Sequence, residues 1–95
     1  MTECTSIGEV RENIDSIDRE IVRLISERSR YVKQAARFKK NTDDVRAPKR
    51  VEEVIVKVRT LATGREIDPD IVEKVYRTMI ACFIECEMNE HDKAQ

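Results

Sequence analysis

The 95 residues carry 18 Lys+Arg against 19 Asp+Glu, a net charge of −1, and only 4% aromatics. That length suits one domain (residues 1–95) with one core, and the charge balance lacks the basic excess that bulk nucleic-acid binding needs. No apolar run is long enough to span a membrane, and MTECTSIGEV has neither the basic nor the apolar region of a secretory signal. An odd set of cysteines, Cys4, Cys82 and Cys86, then points to free thiols in a reducing, cytoplasmic compartment.

The fold class expected is all-α. The first helix is expected from about Ser6 to Asn41. Its seam is Ile7, Val10, Ile14, Ile17, Ile21 and Leu24, continued by Arg28, Tyr31, Ala35 and Phe38, a three-four spacing sustained over more than four repeats. A flanking row holds Arg11, Asp18, Ile25, Val32 and Lys39. The charge-rich NTDDVR, Asn41–Arg46, is expected to be a solvated loop or a lid next to Lys39.

The second helix is expected from about Pro48, a first-turn proline, to Thr63, with Gly64 as its C-terminal cap. Its stripe is Val51, Val54, Ile55, Val58 and Leu61. Asp68-Pro69 is an N-cap followed by a first-turn proline, opening a third helix to about Glu90. Its stripe is Val72, Tyr76, Met79, Ile80, Phe83 and Glu87, broadened by Ile71, Val75, Cys82 and Cys86. NEHDKAQ is expected to fray. Cys82 and Cys86, with His91 beyond, fall short of a zinc ligand set, so they are expected to be small buried hydrophobes and no metal is expected.

A first helix of that extent is about 50 Å long, whereas a compact chain of this size has a radius of gyration of about 12 Å. Two shorter helices cannot cover it. A second copy can, so an intertwined helical homodimer is expected.

Arg28, Lys39 and Glu87 sit on or beside the apolar rows, as does Arg11. Buried charges need partners. One reading is structural: ion pairs such as Arg28 with Glu87, side chains reaching out to solvent, or polar residues that set register. The other is a cationic pocket for a small dianion, since the guanidinium fork binds carboxylates bidentately. Lys39, 11 residues after Arg28, would then project from nearly the same face about 16 Å along. Arg11 and Arg28, 17 residues apart, are separated by about 25 Å on one straight helix, so Arg11 would serve a pocket on the partner chain.

The stretch IGEVRENIDSIDREIVRLISERSRYVKQAARFKK has the pattern R-x-x-I-D-x-I-D-x-x-I-x-x-L-I-x-x-R followed by Lys39. In this it resembles the all-helical chorismate mutase family, with similarity running from about Ile7 to Glu87. The resemblance implies three helices per chain, two intertwined chains and two identical active sites. It implies that Arg11 reaches across the dimer to a substrate carboxylate and that Arg28 holds a carboxylate within its own chain's pocket. Lys39 would bond the ether oxygen and a carboxylate, and Glu87, where many members carry glutamine, would bond the same oxygen.

The rearrangement of chorismate to prephenate is unimolecular and needs no nucleophile, metal or cofactor. It needs a dianion held in a compact conformer and charge stabilised on the departing ether oxygen. Glu87 can help there only when protonated.

Downstream the likeness to typical mutases weakens. In VRAPKRVEE, Ala47 stands at the family's Asp, Arg50 at its Arg, and Val51 at the Glu that accepts the ring hydroxyl's hydrogen bond. Glu52 points about 100° away from Val51. Phe83 stands where some mutases have a small hydroxyl residue. Ala-Pro-x-Arg-Val, with Tyr-Val-Lys and Ala-x-Arg-Phe-Lys before it, resembles the sister branch of isochorismate pyruvate lyases, although that branch has glutamine at the Glu87 position. Arg46 is a candidate extra carboxylate contact. A non-enzymatic helical dimer acting as an interaction module is the remaining alternative.

Overall fold

The computed structural model describes the backbone of residues 3–94 and the side chains of residues 3–90. It is all-helical, with α1 at Ile7–Ala36, α2 at Thr42–Arg46, α3 at Pro48–Gly64 and α4 at Pro69–Ala94. Among the described residues there is no strand, and no helix is long and apolar enough to cross a membrane. The chain divides into two compact units, one up to Val32 and one from Lys33 onward.

The first unit is the greater part of α1. Ser6 opens the helix by accepting the Glu9 N–H at 3.1 Å, while the Glu9 carboxylate reaches back to the Thr5 N–H at 2.9 Å. The first bond satisfies a backbone donor that a helix start leaves open, and the second ties the preceding residue to the first turn. No residue of α1 is buried. The seam that the spacing marks out is instead exposed, including Ile7 at 64%, Ile17 at 58% and Leu24 at 52%.

The second unit has an internal core of Val45, Ile55, Val58, Ala62 and Ile80. α3 and α2 both pack on α4. Ile55, Val58 and Ala62 recur at helical spacing, and Val51 and Val54 are half-buried on the same side. Leu61, expected in this stripe, is 66% exposed, and Ala62 takes the inward position. On α4 the row Val72, Tyr76, Met79, Ile80, Phe83 and Glu87 is half-buried or buried. Ile71, Val75, Cys82 and Cys86 are exposed. The cysteines are therefore not the buried hydrophobes expected, because their face of α4 is not the one carrying Ile80. The His91 side chain lies outside the described residues.

Along the α3–α4 seam runs a chain of alternating charges. Arg59 bonds Asp70 at 2.9 Å and Glu73 at 2.8 Å, and Arg77 bonds Glu73 at 2.7 Å and grips both Glu52 oxygens at 2.9 Å. Hydrogen bonds from Arg77 hold the Glu52 and Glu73 carboxyls below the usual carboxylate range.

Three helix ends differ from expectation. α1 stops at Ala36, short of Asn41. Its last turn tightens into i→i+3 bonds, from Arg37 to Gln34, Phe38 to Ala35 and Lys39 to Ala36. Asn41 is extended, at φ −152° and ψ 178°, because it caps the next helix.

Gly64 does not cap α3. It lies inside the helix with an ordinary negative φ, and Glu66 takes the left-handed position at φ 60°. Ile67 N–H reaches the Ala62 carbonyl at 3.1 Å and Glu66 N–H the Thr63 carbonyl at 3.3 Å, so the terminal carbonyls are satisfied two residues later than glycine placement suggests. α4 starts where expected, with the Asp68 carboxylate accepting the Asp70 N–H at 2.9 Å. It continues to Ala94 rather than fraying after Glu90, and Gln95 lies outside the described residues.

Candidate active site

A lysine and a glutamate 48 residues apart in sequence meet in the second unit. Lys39 Nζ donates to Glu87 Oε2 at 2.9 Å, with the side chains 21% and 9% exposed. Glu87 is set by the α4 row: it falls one turn after Phe83, on the face that carries Ile80. Lys39 is set by the tight turn ending α1. α1 ends at Ala36, so the continuous helix on which Lys39 was expected stops before it.

Half-buried together, each charge depends on the other, since an unpaired carboxylate there would be costly. The pair offers a cationic donor beside a carboxyl that accepts when ionised and donates when protonated. Such a pair can stabilise negative charge that develops on a bound oxygen.

The other sequence-derived candidates are distributed as follows. Arg11 is exposed and Arg28 half-buried, both on α1 in the first unit. Their separation along the helix, 17 residues or about 25 Å, keeps them from one small ligand in the same chain. Arg46, Ala47, Arg50 and Val51 follow Lys39 closely. Arg46 is exposed, and Arg50 is exposed and 3.6 Å from Glu53. Ala47 and Val51 are half-buried, and the Ala47 carbonyl accepts the Val51 N–H at 3.0 Å. Ala47 adopts φ 39° and ψ 58°, closing α2 and opening α3. Val51 offers no acceptor, and Glu52 is held by Arg77 in a two-pronged bond. Phe83 is half-buried on α4.

Sequence reasoning missed the ordered segment after Lys39. Thr42–Arg46 is one turn of helix, not a solvated loop. Asn41 Oδ1 accepts the Asp44 N–H at 2.9 Å, Asp44 Oδ2 accepts the Lys40 N–H at 3.0 Å, and Val45 is 3% exposed. The signal was present: Asn with an acidic residue three positions on is a helix-start signature. Among the described residues, no group of three or more His, Cys, Asp or Glu could hold a metal ion.

Comparison with known proteins identifies the family. The family model for chorismate mutase type II matches residues 10–88. An isochorismate pyruvate lyase from Pseudomonas aeruginosa is 34% identical over 82 residues, covering 86% of this chain and 81% of the relative. A chorismate mutase from Methanocaldococcus jannaschii is 29% identical over 89 residues, covering 93% of this chain and 81% of the relative. With Lys39 and Glu87 inside the matched span, the chain belongs to the chorismate mutase type II family.

Proposed function

We propose that the chain is a chorismate mutase, converting chorismate to prephenate by electrostatic stabilisation. The observation that carries this reading is the half-buried Lys39–Glu87 pair. Lys39 supplies the cation that the developing ether-oxygen charge requires, and membership of the family supplies the reaction class. In the free chain Glu87 accepts from Lys39. To assist the ether oxygen it must donate, and therefore carry a proton. Arg28 holds a substrate carboxylate in its own chain's pocket, and Arg11 is delivered by a second copy.

The homodimer is part of the same proposal. It is supported by the exposed seam of α1 and by the distance between Arg11 and Arg28. Two copies of the 95-residue domain would form two identical sites, with the chain working as a cytoplasmic enzyme without cofactor.

Isochorismate pyruvate lyase activity is the second reading. Val51 and Ala47 favour it, since neither side chain can accept a ring hydroxyl where a typical mutase places Glu and Asp. Glu52 is no substitute while Arg77 grips both its oxygens. The 34% identical lyase relative points the same way.

Each substrate should be offered separately to purified protein, with prephenate measured from chorismate and salicylate plus pyruvate from isochorismate. Lys39→Ala is expected to lower turnover by about 10²–10³-fold. Glu87→Gln, which keeps a hydrogen-bond donor for the ether oxygen, is expected to keep turnover, and Glu87→Ala to lose it. Glu87→Gln as slow as Glu87→Ala would remove Glu87 from the ether oxygen. Consumption of neither substrate, with no thermal shift from a chorismate-like dianion, would leave the interaction-module reading.

A further inference from the structure

Lys39 occupies an awkward position for a residue with a defined task. It lies in a turn after the end of α1, and its side chain has four rotatable bonds. A lysine so placed would sample many directions unless its backbone were held. The residues that follow hold it. α2 is five residues long, far too short to persist alone. It persists because Asn41 caps its start, because Val45 is buried where α2 packs on α4, and because the Ala47 N–H closes its end on the Asp43 carbonyl at 2.9 Å.

One bond of this segment points back toward the site. Asp44 Oδ2 accepts the Lys40 N–H at 3.0 Å. That N–H belongs to the peptide joining Lys39 to Lys40, so the bond fixes the orientation of the peptide plane leaving Lys39. α4, on which α2 packs, is also the helix that presents Glu87. The two partners of the pair are thus referred to one scaffold.

We propose that Asp44 is a positioning residue for Lys39: by holding the Lys39–Lys40 peptide it aims the Lys39 ammonium at Glu87 and, in the bound state, at the substrate's ether oxygen. Its catalytic consequence rests on the proposed function; its geometric content does not. Charge gives the proposal a sharp sign. Between residues 33 and 50 there are seven Lys and Arg and only two acids, Asp43 and Asp44. A carboxylate beside a dianion site weakens attraction for the substrate, so on electrostatics alone its removal tightens binding. Positioning demands the opposite, a loss of rate.

The test compares Asp44→Ala, Asp44→Asn and Asp43→Ala in the full chain. Turnover is read on chorismate and isochorismate, and amide hydrogen exchange at Lys40 and the Glu87 carboxyl carbon shift are read by NMR. Asp44→Ala is expected to lower kcat about tenfold, with KM moving much less, because small misplacements of a reacting group are costly. Its Lys40 amide should lose protection and the Glu87 signal should shift. Asp44→Asn keeps an amide oxygen for Lys40 and is expected to recover kcat to within about twofold, with Lys40 protected. Asp43→Ala removes the same charge from the same turn and leaves the Lys40 bond in place, so kcat should hold.

Unchanged or improved turnover in Asp44→Ala would overturn the proposal, as would Asp44→Asn as slow as Asp44→Ala. Equal Lys40 protection in Asp44→Ala and wild type would also overturn it. If wild type consumes neither substrate the functional reading fails separately, and the Lys40 and Glu87 signals still decide whether Asp44 holds Lys39.

Discussion

The two units solve the same problem, an amphipathic helix in water, in opposite ways. From Lys33 onward the apolar rows of α3 and α4 meet each other, with Val45 of α2 added, and the result is an internal core. Before Val32 the best-patterned apolar row of the whole chain is exposed from Ile7 to Leu24. Strong amphipathicity therefore says that a face must be covered, not that the same chain covers it. A row of this length on the free surface is what an interface with another molecule looks like before assembly.

The largest expected effect tests that contrast directly. Ile17→Glu puts a charge on a position 58% exposed in the single chain. Were the chain complete alone, the change would cost about 0.5 kcal/mol or less. Beneath a second copy it buries an unpaired carboxylate, which costs several kcal/mol, about 3–5, and splits the pair. Sedimentation velocity at micromolar concentration is expected to show monomer with weakened helicity. A wild-type mass and melting curve would dissolve the contrast between the two units.

Ile55→Ala attacks the other side of the comparison. Ile55 is 3% exposed in the α3–α4 core, so its truncation should cost about 2–4 kcal/mol in urea unfolding. That loss should appear at every protein concentration.

Smaller gains are expected at the α3 terminus. Glu66 bears the left-handed φ of 60° that glycine adopts without penalty, while Gly64 sits in the helix with nothing within 4 Å of a would-be Cβ. Glu66→Gly and Gly64→Ala should each raise stability by about 0.5–1 kcal/mol, read as a higher Tm. A lower Tm for Gly64→Ala would mean that its surface is covered in solution.

The smallest effect concerns pH. Arg77 lowers the Glu52 and Glu73 pKa values in the folded chain. A group lowered on folding stabilises above its unfolded pKa, and that contribution fades as pH falls from there through the folded value. Thermal scans from neutral to acid pH should thus show a decline in wild type that is shallower in Arg77→Met. Parallel curves would show the network to be energetically silent, as exposed pairs often are.

Much of this was legible because punctuation and periodicity are local. Pro48 and Asp68-Pro69 mark helix starts by removing a donor that was unsatisfied anyway, or by capping one. Lys39 and Glu87 stood out because an ionisable group on an apolar row demands an explanation. Their mutual bond was not legible, because pairing across 48 residues depends on how the second unit folds. The end of α1 was missed because helical spacing continues through Arg37 and Phe38 on paper, while Asn41 takes the backbone away to start α2. Gly64 misled because glycine is only the commonest occupant of a left-handed cap, and Glu66 fills that role here.

The exposed seam of α1 has a further consequence, in mass action. If a second copy supplies the cover, folding and association are one equilibrium, and no single melting temperature describes the protein. Its midpoint must climb with total concentration, and activity per chain must fall on dilution below the dimer's dissociation constant. A cell then regulates the enzyme twice with each new chain it makes, once by number and once by the fraction assembled.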